Sequence, residues 1–208
     1  MNRLSYAQVF STEVYPGTTI NFPAMPELLD TLGNTSYSLS NHDGYYACLV
    51  MKNAVPADKL ASLDLNKFYM TVYETLQAPE QGCQLFNQSN IRAGDINAAE
   101  FWSRCKPDPD FPEIRYKRLL LAGSTLYVLD HWTFTKIQSG GEERKNSFFN
   151  SFKIKSPEKA VIPSAFENSN GTDKTKSRKY WAYIAVALGV LAFVLRSLFR
   201  KQKPPLKK

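Results

Sequence analysis

The chain has 208 residues, 43% hydrophobic and 13% aromatic, with 26 Lys and Arg against 19 Asp and Glu. Ten of the basic residues and no acidic one lie in 174–208, which leaves 16 against 19 in 1–173, a net charge of −3. A mildly acidic folded part offers no basic stripe, which excludes nucleic acid as a partner, and its aromatic content excludes a disordered stalk.

Residues 1–12 form an N-terminal segment with no apolar run of signal-peptide length. A globular domain is expected over 13–154. Its first extended segment, Glu13–Phe22, is broken by Pro16-Gly17 and closed by Phe22-Pro23-Ala24-Met25-Pro26. Thr35–Ser40 and Tyr45–Lys52 flank Asn41-His42-Asp43-Gly44, a hairpin signal in which Gly supplies the turn's positive φ.

After Pro56 the period changes. Leu65, Phe68, Tyr69, Val72 and Leu76 make one stripe of an amphipathic helix, with Asp64 or Ser62 as its N-cap. Cys83–Ile91 and Ala98–Cys105 then frame a turn at Arg92-Ala93-Gly94-Asp95. Centring that turn on Gly94 sets Cys83 opposite Cys105, close enough for a disulfide, and a slip of one residue destroys the match. Two ordinary buried thiols are the reading preferred here, because free cysteine is commonly buried. Lys106 to Pro112 holds three prolines and reads as a loop.

Ile114–Leu121 and Thr125–Trp132 surround Ala122-Gly123-Ser124, another hairpin. The charges Glu113, Arg115, Lys117 and Arg118 read as a solvated strand face. Ser139-Gly140-Gly141-Glu142-Glu143 opens a short helix, with acidic residues at its positive end, running toward Phe148, Phe149 and Phe152.

Residues 155–179 are rich in Ser, Asn, Lys and Pro and read as a flexible linker with a root-mean-square span of about 25 Å. Residues 180–199 are uncharged from Tyr180 to Leu195, long enough for a transmembrane helix, with aromatics at one end. Residues 200–208 form a basic tail. Lys174, Lys176, Arg178 and Lys179 precede the span, and Arg196, Arg200, Lys201 and Lys203 follow its apolar part, so both flanks suit anionic headgroups of a lipid bilayer.

Two signals then conflict over the side of the membrane. Without an export signal the chain reads as tail-anchored, with its domain in the cytoplasm. The six positive charges from Arg196 onward, against four before the span, instead hold the tail inside and place the domain outside. A leader preceding the sequence would reconcile the two.

The Phe22-Pro23-Ala24-Met25-Pro26 segment, the paired central strands, the closing Leu126-Tyr127-Val128-Leu129 hairpin and the terminal Phe148-Phe149-Asn150-Ser151-Phe152-Lys153-Ile154 resemble the PsbP-like fold over 13–154. The chain looks like a bacterial-type, membrane-anchored member of unknown role. The resemblance implies an α+β domain, an antiparallel sheet with helices packed on its faces, here followed by a C-terminal transmembrane helix. It also implies a binding or assembly module rather than an enzyme.

Residues with chemical potential are few. His42 and His131 are the only histidines, and a metal site needs further ligands from afar. Cys48 with His42, or Asp130 and His131 with a serine, are nominal catalytic pairings outside any recognisable motif. Cys48 reads better as a buried thiol. No catalytic residue, cofactor or metal is expected. The function expected is a non-enzymatic, membrane-tethered protein-interaction or assembly module whose partner is another membrane or envelope protein. The alternative is a lipid or small-ligand binding domain with a pocket between sheet and helix, or a hydrolase of unrecognised type.

Overall fold

The computed structural model describes residues 9–31, 33–77, 82–106, 112–133 and 140–155. The expected linker, transmembrane helix and tail, and with them all eight flanking basic residues, lie outside the described residues. Among those described, no helix is long and apolar enough to cross a membrane. The described residues divide into two compact units, one drawn from 9–63 and 82–155 and one of 64–77.

The larger unit is built from antiparallel strands. Its small sheet has the order β1-β2-β10, from β1 (Phe10–Tyr15), β2 (Thr18–Phe22) and the two-residue β10 (Lys153–Ile154). Strand β1 starts three residues before the expected domain boundary, and Phe10 pairs with Phe22. The large sheet uses β3 (Glu27–Thr31), β4 (Asn34–Asn41), β5 (Gly44–Met51), β6 (Gln84–Ala93), β7 (Ile96–Arg104), β8 (Ile114–Ala122) and β9 (Thr125–Thr133), in the order β3-β4-β5-β9-β8-β7-β6.

Three hairpins of the large sheet follow local chemistry. His42-Asp43 joins β4 to β5, Gly94-Asp95 joins β6 to β7, and Gly123-Ser124 joins β8 to β9. Gly44 is needed for two reasons. Its φ is +142°, and a Cβ there would lie 2.1 Å from the main-chain oxygen of Trp132 on the neighbouring β9. Only glycine tolerates both.

Strand alternation puts Tyr46, Cys48 and Val50 of β5, Tyr127 and Leu129 of β9, Leu120 of β8 and Ala98 of β7 in one core. Val14, Ile20 and Phe22 of the small sheet close it, together with Phe148 and Phe149 of helix α2 (Gly141–Asn150). The helix opens with Glu142 and Glu143 in its first turn, where the partial positive charge of the free N–H groups favours them. Its end is tied to the small sheet through Ser151, whose Oγ accepts from the Asn21 amide at 2.9 Å and donates to the Phe148 carbonyl at 2.7 Å. The architecture is thus α+β, with a mostly antiparallel sheet and few helices.

In the second unit, α1 (Leu65–Leu76) has Asp64 as its N-cap, with Oδ1 accepting from the Lys67 amide at 3.1 Å. Of the expected stripe, Leu65, Phe68, Tyr69 and Val72 are buried, joined by Tyr73.

Candidate functional site

Register carries one aromatic row across the core-facing side of the large sheet. Trp102 of β7 stands opposite Tyr116 of β8, Tyr116 opposite His131 of β9, and His131 opposite Tyr46 of β5. The Tyr116 and His131 rings are stacked at 6.3 Å, and those of His131 and Tyr46 lie 4.6 Å apart. Helix α2 covers the inner half. Phe148 meets Tyr46 edge-on at 5.3 Å, and the Lys145 ammonium sits 5.2 Å above Tyr116. The outer half stays open: Trp102 is 37% exposed, and 5.2 Å from its ring lies Phe86, 52% exposed.

The inner end is fixed in a neutral, structural state. His131 is fully buried, and its Nδ1 lies 3.3 Å from the Tyr45 carbonyl. A carbonyl only accepts, so Nδ1 carries the proton and Nε2 is bare. Burial, the largest cause, lowers its pKa from 6.5 to about 4. The Tyr46 phenol is pushed up to about 12 by burial, and burial likewise raises the Cys48 thiol. Near neutral pH none of these groups is poised to give or take a proton, nor is Cys48 poised to attack.

The nominal catalytic pairings are not assembled. His42 projects from its turn with 89% of its side chain exposed, 3.3 Å from Asp43, whereas Cys48 is buried opposite Leu129. Asp130 and His131 point to opposite faces, and Asp130 is bonded to Lys117 of β8. Among the described residues no group of three His, Cys, Asp or Glu is arranged to hold a metal.

The expected solvated charge face on β8 is corrected by the structure. Arg118 is only 6% exposed, bonded to Glu100 and to the Phe149 carbonyl, while Arg115 lies 4.2 Å over the Trp132 ring. Alternation divides these charges between the two faces of the sheet, so Arg118 falls beneath α2. Long side chains with apolar stems pack there while their charges find partners.

At the open end of the row, Cys83 and Cys105 are joined as a disulfide, which corrects the preferred reading of two buried thiols. The path to that contact differs from a hairpin centred on Gly94. The turn holds two residues, Gly94 and Asp95, which puts the ladder one residue out of step for the cysteines. A bulge at Phe86, between Leu85↔Ser103 and Asn87↔Trp102, restores the step. The Phe86–Trp102 pair was not legible in the sequence, because the bulge that brings the rings together leaves no mark there.

No protein-family model matches the chain, and no curated protein does. Among solved structures, the chain is similar to cyanobacterial PsbP (CyanoP) from Synechocystis sp. PCC 6803, with a TM-score of 0.53 at 13% identity over 74% of this chain and 96% of that one. It also matches a protein of unknown function from Pseudomonas aeruginosa, PA94, with a TM-score of 0.43 at 9% identity over 69% of this chain and 94% of that one. The fold is PsbP-like.

Proposed function

We propose that the chain is a membrane-tethered protein-interaction or assembly module, anchored through 180–199, with its PsbP-like domain on the oxidising side of the membrane. The observation that carries the interaction reading is the exposed Phe86–Trp102 pair at the rim of the large sheet. Large aromatics that stay open to solvent beside a rigid strand edge are the usual centres of binding energy in protein interfaces. The Cys83–Cys105 disulfide supports the side of the membrane, since such bonds persist in oxidising compartments. The excess of positive charge after the span agrees with that orientation. A linker with a span of about 25 Å would hold the domain near partners in the same membrane and raise their effective concentration.

The test places a photo-activated crosslinking residue at Phe86 and, separately, at Glu27 on the opposite sheet edge, in intact membranes. The proposal expects a discrete adduct with a membrane or envelope protein from position 86 and none from position 27. Equal adducts from both positions, or none from position 86, would sink the interaction reading. Protease added to intact cells tests the orientation: loss of the domain from outside is expected, and full protection overturns it.

A further inference from the structure

The ladder between β6 and β7 runs in two registers. From the turn to Asn87↔Trp102 the numbers of paired residues sum to 189, whereas at Leu85↔Ser103 and Gln84↔Arg104 they sum to 188. Only the second register sets Cys83 opposite Cys105. Had the first continued, Cys83 would oppose Lys106 and Cys105 would oppose Gln84, with the two sulfurs on opposite faces of the sheet. In this sequence the disulfide therefore requires the bulge.

We propose that Cys83–Cys105 is a redox-sensitive register lock. The bond holds the bulge, and with it the open Phe86–Trp102 pair; its reduction lets the ladder run through in a single register. This inference stands on the hairpin alone and is independent of the membrane reading. Two effects drive the shift once the bond is gone. A bulge leaves one residue unpaired, and the through-running ladder recovers that pair. Phe86 also leaves its half-exposed place and, as the larger side chain, replaces half-buried Leu85 on the face that carries the buried residues Phe101 and Ser103, while Leu85 turns to the face of Trp102. The movement is one residue of strand, about 3.3 Å, confined to the segment before Asn87.

The reductant is a dithiol. One of its thiolates attacks Sγ of Cys83, the half-buried partner; the Cys83–Cys105 bond breaks, and Cys105 leaves as a thiolate that takes up a proton. The dithiol's second thiolate then displaces Cys83 from the mixed disulfide. The reductant ends as a disulfide, and its two electrons and two protons end on the two cysteines.

The experiment uses the isotopically labelled full chain in detergent micelles and reads cross-strand proton contacts by NMR, with and without dithiothreitol. In the oxidised protein Leu85 faces Ser103 and the Phe86 and Trp102 rings are in contact. On reduction the contacts shift by one residue, Leu85 to Arg104 and Phe86 to Ser103, and the ring contact is lost, while Asn90 keeps facing Ala99. Deleting Phe86 provides the second arm. It leaves the cysteines opposed in an unbroken ladder, so reduction of that variant breaks the bond and moves no partner. The proposal is overturned if Leu85 still faces Ser103 in the reduced parent, if the Asn90–Ala99 contact vanishes with it, or if the deletion variant shifts as the parent does.

Discussion

The guanidinium of Arg118 on β8 donates to the main-chain carbonyl of Phe149 at 3.0 Å and lies 5.0 Å over the Phe149 ring, so one side chain fastens the end of α2 to the sheet. It also bonds Glu100 on β7 and the Asn150 side chain, and Lys145 of α2 reaches the other oxygen of Glu100 at 3.6 Å. A strand, its neighbour and the helix above them thus share one buried charge network. Removing Arg118 leaves Glu100 with Lys145 alone and unties the end of α2 from the sheet.

Arg118→Ala is accordingly expected to cost about 3 kcal/mol, the low end of the penalty for breaking a buried pair, because Lys145 still partners Glu100. Arg118→Met combined with Glu100→Gln and Lys145→Met should recover most of that loss, since no unpaired charge is left buried. Urea midpoints of the parent, single and triple variants check this. A triple variant no more stable than Arg118→Ala would contradict it.

A pH dependence follows from His131, whose pKa lies near 4 in the fold against an ordinary 6.5. Between those values the unfolded chain holds a proton that the fold refuses, so stability rises with pH there. The contribution of the neutral ring is complete above the ordinary value and is lost as pH falls toward the lower one. It amounts to about 3 kcal/mol. His131→Phe keeps an aromatic ring in the row and removes the titration. Its unfolding free energy should fall less than the parent's between roughly pH 7 and pH 4.5, which denaturant titrations at both values will show.

Gly44→Ala tests the close approach of β5 to β9. The new methyl meets the Trp132 oxygen at 2.1 Å, and the backbone there has a φ of +142°. A loss of at least about 2–3 kcal/mol is expected, from strain and from a disturbed ladder. Gly123→Ala makes the contrast: its φ is +56° but nothing lies within 4 Å of the new Cβ. That variant should lose less, by thermal unfolding of the two side by side.

Thiol counting checks the cysteine chemistry. Cys48 is buried with its pKa raised by burial, and the other two cysteines are bonded to each other. Mass spectrometry after treatment with an alkylating reagent should find no adduct on the native chain, one after denaturation and three after denaturation with reduction. A count of three without reductant would remove the disulfide.

Much of the sheet could be read from its turns. Asp43-Gly44, Gly94 and Gly123 announce three hairpins, and the α1 stripe follows the helical period from its Asp64 cap. Strand β3 escaped because its five residues, Glu27 to Thr31, are mostly exposed and show neither an apolar run nor clean alternation. The partnering of β10 with β2 escaped for a different reason: it joins residues about 135 apart, Lys153 with Thr19 and Ile154 with Thr18, through a two-residue strand. The cysteine pairing is the most instructive case. Centring the turn on Gly94 errs by one residue, and omitting the bulge errs by one residue in the other direction. The two errors cancel, so the right partners come from the wrong ladder. The aromatic row is invisible until register is known, because Trp102, Tyr116, His131 and Tyr46 come from four strands.

The two rims of the large sheet are not alike. Strand β3 is short, follows Pro26 and carries Glu27 and Asp30, while β6 is ten residues long and holds Arg92 as its one charge. Carboxylates and a preceding proline repel or starve an incoming strand, so β3 is a guarded rim and β6 an unguarded one. A second copy that added itself at β6 would present only the guarded rim outward. Lateral growth would then stop at a pair instead of running on into a fibre.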